Sequence, residues 1–143
     1  MVFLGTHALR LDEKGRLVLP AKWRHDLSEG LVITRGQVNC LYVFPDDEFA
    51  RMSETLQQAS LTNRRAQDYG RLFYGSAVDQ VPDKQGRISV PASLRTYAGL
   101  DKECVVVGAN TRAEVWDAAK WEAYLGEQEP SYAQLGEEVF PGF

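Results

Sequence analysis

The chain has 143 residues, of which 44% are apolar and 25% charged, with a net charge of −4. Such a composition excludes a disordered chain, and the length holds one ordinary domain or two very small ones. No apolar run approaches the ~20 residues that cross a bilayer, and the start, MVFLGTHALRLDEKGR, lacks the basic-then-apolar pattern of a signal peptide, so a cytoplasmic protein is expected.

A glycine-containing entry, FLGT, leads into a strand that runs to Asp12-Glu13-Lys14-Gly15-Arg16. Asp12 can accept hydrogen bonds from its own backbone, and Gly15 supplies the positive φ that a hairpin turn needs. A second strand, LVL, leaves the turn; Pro20 ends it and opens a short helix, AKWRHDL. Two strands follow, LVITR and CLYVF, then a helix, EFARMSETLQQ, with Asp46 or Asp47 as its expected cap and Phe49, Met52 and Leu56 on its apolar face. TNRRAQDYGRLFYG reads as a linking helix with Ala66, Tyr69, Leu72 and Phe73 as its apolar stripe. The plan then restarts: FYGS, a strand into Asp83-Lys84-Gln85-Gly86-Arg87, ISV, Pro91 before ASLRTYAG, the strands CVVVG and AEVW, and a helix, AAKWEAYL, capped by Asp117. Beyond it, residues 127–143 carry Glu127, Glu129, Glu137 and Glu138 without Lys or Arg, broken by Pro130, Gly136, Pro141 and Gly142; a flexible acidic tail is expected. With those four set aside the body is neutral, so net charge decides nothing about nucleic acid; local clustering does.

The restart is a repeat. DEKGRLVLPAKWR (12–24) and DKQGRISVPASLR (83–95) keep Asp, Gly, Arg, Pro, Ala and a final Arg in register at an offset of 71, while VFPDDEF (43–49) and VWDAAKW (115–121) align at 72. The pattern predicts a mostly β protein with short helices (α+β). It divides into a first module over 1–58 (core 5–47), a helical linker over 59–74, a second module over 75–126 (core 76–119) and the tail. A half of about 45 residues cannot bury enough surface alone. One pseudo-twofold, β-barrel-like globule is therefore expected, with strands interleaved between halves and both Asp-x-x-Gly-Arg hairpins near each other on one edge.

These residues, with VVVG, EVWDAAKWE and the FLG and FYG entries, cover 1–126 in order and resemble the MraZ family, a tandem version of the AbrB-like swapped-hairpin fold. The resemblance implies a nucleoid-associated transcriptional regulator, chiefly a repressor, that assembles into homo-oligomeric rings. It implies binding to short G-rich direct repeats of double-stranded DNA in the promoter of a cell-division and cell-wall gene cluster, its own promoter. The family's DNA contacts are associated with the basic residues of the turn, which here are Lys14 and Arg16, then Lys84 and Arg87. Lys14 is matched by Gln85, and the second lysine stands one position earlier, so the second turn is expected to hold DNA less strongly or differently.

The chemistry agrees with that reading. Arginine can donate two hydrogen bonds to guanine O6 and N7, lysine neutralises phosphate, and a two-stranded β-ribbon fits the major groove. Lys22 and Arg24, like Arg95 in the second copy, either extend a basic strip toward flanking phosphates or simply solvate their helix. Asp12, Gly15, Asp83 and Gly86 are read as turn-forming rather than DNA-contacting. Arg64 and Arg65 read as the wet face of the linking helix. Trp23, Phe49, Trp116 and Trp121 are core candidates. Cys40 and Cys104, in apolar strands without CxxC spacing, suit buried reduced thiols. His7 and His25 have no partner at metal-ligand spacing, and GxGxxG, GxxxxGK[ST] and GxSxG are absent; no metal, cofactor, small-molecule ligand or enzyme activity is expected. The competing reading is a ring-forming scaffold without specific DNA binding, whose acidic tail docks on a basic partner.

Overall fold

The computed structural model describes residues 2–142. Its first half runs β1 (Thr6–Arg10), β2 (Arg16–Val18), α1 (Ala21–Leu27), β3 (Leu31–Arg35), β4 (Leu41–Pro45), α2 (Asp46–Ser60) and α3 (Arg64–Gly75). The second half repeats the order: β5 (Val78–Gln80), β6 (Arg87–Ser89), α4 (Ala92–Ala98), β7 (Glu103–Gly108), β8 (Ala113–Asp117) and α5 (Ala118–Gln128). A 3₁₀ turn over Glu129–Ser131 and α6 (Tyr132–Val139) complete the described chain. Helices hold more residues than strands, so the fold is mixed α/β rather than mostly β.

Six strands form one antiparallel sheet in the order β1-β7-β8-β4-β3-β5, and β2 pairs with β6 in a separate ribbon. Exchanging the two halves reads the same order backwards. Each half therefore lends its first strand to the other half's sheet, β1 to β7 and β5 to β3. The expected barrel does not form: β1 and β5 stand at opposite ends of the sheet, and among the described residues no ladder joins them. Nor do the strands flanking each Asp-x-x-Gly-Arg turn pair with each other, as a simple hairpin would; β1 goes to the sheet and β2 to the ribbon.

Alternation along the strands gives the sheet two apolar faces. Leu31 and Ile33, Leu41 and Val43, Cys104 and Val106, Ala113 and Val115 point to the face covered by the ribbon residues Leu17 and Ile88 and by Trp23, Leu27 and Leu94 of α1 and α4. All of these are at most 2% exposed, and burial of each large aliphatic stabilises the fold by roughly 1.5–3 kcal/mol. The intervening residues Phe44 and Trp116 face the other way. Phe44 meets Phe49 and Phe73 of α2 and α3 at ring-centroid distances of 5.8 and 6.3 Å; Trp116 meets Trp121 and Tyr124 of α5 at 5.1 and 4.9 Å. The aromatic pair five residues apart in each copy is thus a strand residue packed under the helix that follows it.

The ends of the helices follow local chemistry. Pro20 and Pro91 precede α1 and α4 at φ −53° and −57°, which proline adopts without strain. Asp117 caps α5 by accepting the Lys120 N–H at 3.2 Å. Asp46 and Asp47 do not cap α2: Pro45 occupies the cap position, and both aspartates lie inside the first turn, where negative charge suits the helix dipole. Asn63 accepts the Arg65 and Ala66 N–H groups at 2.9 and 3.2 Å, so the linking segment is a helix distinct from α2. Its apolar stripe is only partly covered, since Phe73 is buried while Tyr69 and Leu72 stay 40% and 56% exposed. The tail, for which glycine and proline predict no stable element, contains α6, although none of the residues of that helix is buried.

Candidate nucleic-acid interface

The two Asp-x-x-Gly-Arg turns are closed by the same set of hydrogen bonds. In the first, Asp12 Oδ1 accepts the Lys14 and Arg16 N–H groups, both at 2.9 Å, and Oδ2 accepts the Arg16 Nε–H at 2.8 Å. In the second, Asp83 Oδ1 accepts the Gln85 and Arg87 N–H groups at 2.9 Å, and Oδ2 accepts the Arg87 Nε–H at 2.6 Å. The backbone adds Gly15 N–H to the Asp12 carbonyl at 3.0 Å and Gly86 N–H to the Asp83 carbonyl at 2.9 Å. Gly15 and Gly86 sit at φ 76° and 75°, the left-handed region in which a Cβ is strained. Both carboxyls are held below their usual range, chiefly by the backbone N–H of the arginine, with its guanidinium and the intervening N–H adding to it.

Each turn leans on the opposite half. The Leu19 N–H donates to the Gly86 carbonyl and the Val90 N–H to the Gly15 carbonyl, both at 2.8 Å. Arg24 of α1 donates from Nε to the Leu19 carbonyl at 3.1 Å and lays its guanidinium against Gly86. Arg95 of α4 donates to the Val90 carbonyl and lies against Gly15 in the same way. So the final arginine of each repeat bears on the other copy's turn, a role that sequence reading left open for Arg24 and Arg95.

The ribbon register brings the turn arginines together. Leu17 pairs with Ile88 and both point into the core, so Arg16 and Val18 share the outward face with Arg87 and Ser89. Arg16 lies opposite Ser89, and Arg87 opposite Val18. The two arginines are diagonal neighbours on one face, a placement that keeps such residues within roughly 7–8 Å of each other. Both side chains are about one-third or less exposed, at 27% and 30%, and within the described residues the hydrogen bond each side chain makes is the one donated by Nε. The terminal amino groups stay available as a two-pronged donor. Lys14 and Lys84 are exposed at the two turns, and Lys22 is exposed on α1.

One contact had no signal in the repeat. The Gln80 side chain donates to the Ser89 carbonyl at 2.9 Å and accepts the Ser89 N–H at 2.8 Å, sealing the free edge of β6. The matching position of the first copy, 71 residues earlier, is Leu9, which cannot do this for β2.

Elsewhere, Cys40 and Cys104 are free and buried. Burial, then the charge of Glu114, pushes the Cys40 thiol up to about 12; burial, then the charge of Asp117, pushes Cys104 up to about 11. Among the described residues no helix is long and apolar enough to cross a membrane, and no cluster of metal-capable side chains forms.

A family model described as "MraZ protein, putative antitoxin-like" matches the chain twice, over residues 2–72 and 73–140. Among curated proteins, the chain is 61% identical to the transcriptional regulator MraZ of Frankia alni and 62% identical to that of Frankia casuarinae, each over 141 residues and 99% of both chains. It is 56% identical to the transcriptional regulator MraZ of Thermobifida fusca over the same length and coverage. The chain belongs to the MraZ family.

Proposed function

We propose that this chain is a transcriptional regulator that binds double-stranded promoter DNA through the outward face of the β2–β6 ribbon. The observation that carries this reading is the diagonal placement of Arg16 and Arg87, one from each repeat, on a single outward face. Each guanidinium is oriented by its aspartate through Nε, which leaves the terminal amino groups to donate to guanine O6 and N7. Lys14 and Lys84, exposed at the turn tips, neutralise backbone phosphates. Lys22 extends the same basic strip, while Arg24 supports the second turn. The relatives from Frankia, named as transcriptional regulators, agree with such a role.

The finer reading follows the family resemblance. Each half is an AbrB-like module, several copies close into a ring, and the ring reads short direct repeats upstream of the chain's own gene and a cell-division and cell-wall cluster, as a nucleoid-associated repressor. Repeated sites suit repeated subunits, since tethered contacts multiply small affinities. An electrophoretic shift with the DNA upstream of the gene, run at two salt concentrations beside a scrambled duplex, tests the reading. Preferential, salt-sensitive retardation of the upstream DNA supports it. Equal and weak retardation of both duplexes would leave a non-DNA scaffold as the better account.

A further inference from the structure

α6 and the α2–α3 groove present two uncovered apolar surfaces, the first flanked by acidic residues and the second bordered on its α3 side by Arg64 and Arg71. On α6, Tyr132, Leu135 and Val139 fall within one narrow stripe at helical spacing and are 80%, 41% and 67% exposed. Glu138 flanks that stripe, and Glu137 lies behind it. Between α2 and α3 runs a groove of about 530 Å³ whose lining includes Leu56, Leu61, Gly70, Arg71 and Tyr74. Leu61 at its rim is 79% exposed. Arg64 shares the helical face of Arg71, and within the described residues it forms no ion pair; Arg71 meets only Asp68, in a pair about 70% exposed on both sides that contributes little.

Gly70 is the second clue. A glycine inside a helix costs stability relative to alanine, and a Cβ here would meet nothing closer than the Tyr74 ring at 3.8 Å. Packing within the chain therefore does not require glycine. A bare backbone on the floor of a groove does permit the close approach of another helix. α6 buries none of its own residues against its chain, so the occupant comes from elsewhere.

We infer that α6 of one copy seats in the α2–α3 groove of a second copy. Tyr132, Leu135 and Val139 pack over Gly70 and beside Leu56 and Leu61, and Glu138 faces Arg64 and Arg71. Each copy offers one helix and one groove, so the contact repeats from copy to copy. It does not depend on DNA binding and is read without DNA.

The test uses two full-length single variants, Leu61→Cys and Leu135→Cys, one of them tagged, mixed and mildly oxidised. The native thiols stay silent because Cys40 and Cys104 are buried and protonated. Both replaced residues are exposed, so the variants should fold. The expected product is the mixed Leu61→Cys/Leu135→Cys disulfide. Products of like with like only, or none, would overturn the inference. In parallel, sedimentation of the Arg64→Glu/Arg71→Glu chain should show association weakened at least tenfold, and addition of Glu138→Arg should restore it. Weakening that Glu138→Arg does not reverse would count against this pairing.

Discussion

Asp12 and Asp83 each hold three donors on one carboxylate, and the consequence is a dependence on acid. Both carboxyls are depressed below 3.8, chiefly by the backbone N–H of Arg16 and Arg87. A depressed carboxyl contributes stability that is complete above its unfolded value and lost as pH falls through its lower folded value. The turns should therefore be indifferent to pH between 5 and 7, as roughly estimated from ordinary carboxylate titration, and loosen only in stronger acid. Carboxyl carbon shifts followed by NMR should titrate with midpoints below 3.8 at both residues. Midpoints at or above that value would mean the locks are not formed in solution. The arginines separate charge from shape. Arg16→Ala should cost about 1–3 kcal/mol of binding and relax sequence preference. Loss of the partly exposed pair with Asp12 should cost the fold little, since solvent screens it. Arg16→Lys keeps the charge but not the fork, so it should lose preference while keeping the salt slope. Lys14→Ala should do the opposite, lowering the slope by about 0.9 per phosphate contact on every sequence. Arg87→Ala should do less than Arg16→Ala, because Gln85 stands where the first turn has Lys14. Titrations at several salt concentrations separate these cases, and an Arg16→Ala chain that melts normally and binds unchanged would remove the ribbon as the reading element.

At the scale of elements, the two copies of the turn are tied to each other rather than to their own neighbours. Arg24 bears on Gly86, and Arg95 on Gly15. Gly86→Ala should cost about 1–2 kcal/mol from the positive φ alone, and more because the new methyl meets the Arg24 side chain. Arg24→Ala should cost about 1 kcal/mol through the lost bond to the Leu19 carbonyl. The double variant should then cost less than the two single changes together, since the clash disappears with Arg24. Strict additivity in urea unfolding would show that the contact is absent. The repeat made the turns, the proline stops and the strand-under-helix aromatic pairs legible, because each depends on residues a few positions apart. It could not show that β2 pairs with β6. Three-residue strands carry no periodicity that selects a partner, and the partner lies about seventy residues away. The cap of α2 was misread for a related reason: Asp46 and Asp47 suit either the cap or the first turn, and Pro45 takes the cap. The apolar stripe of α3 was legible but not its exposure, and α6 was not legible at all, because Pro130 and Gly136 read as helix breakers in a tail expected to be flexible.

The exchange of strands makes the whole molecule cooperative in a way that the tandem repeat alone does not. A first half cut near residue 72, where one family match ends and the next begins, loses β5 beside β3, β8 beside β4 and β6 beside β2. It would expose Leu17, Leu31 and Ile33, which are at most 1% exposed in the intact chain. The second half would lose β1 beside β7, β4 beside β8 and β2 beside β6, exposing Ile88, Val106 and Val115. Each fragment keeps its local turn but no ribbon, and a half of this size starts with little apolar surface to bury. Residues 2–72 and 73–142 expressed apart should each lack a cooperative unfolding transition and sharp amide dispersion. Mixed in equal amounts they should recover both, because every missing strand is supplied by the other piece and only the single link through α3 is cut. Recovery should also restore the diagonal pair of Arg16 and Arg87, and with it any preference for upstream DNA, neither fragment showing that preference alone. A first half that unfolds cooperatively as a monomer would mean its strands can pair within one copy, and the ribbon would no longer need both repeats.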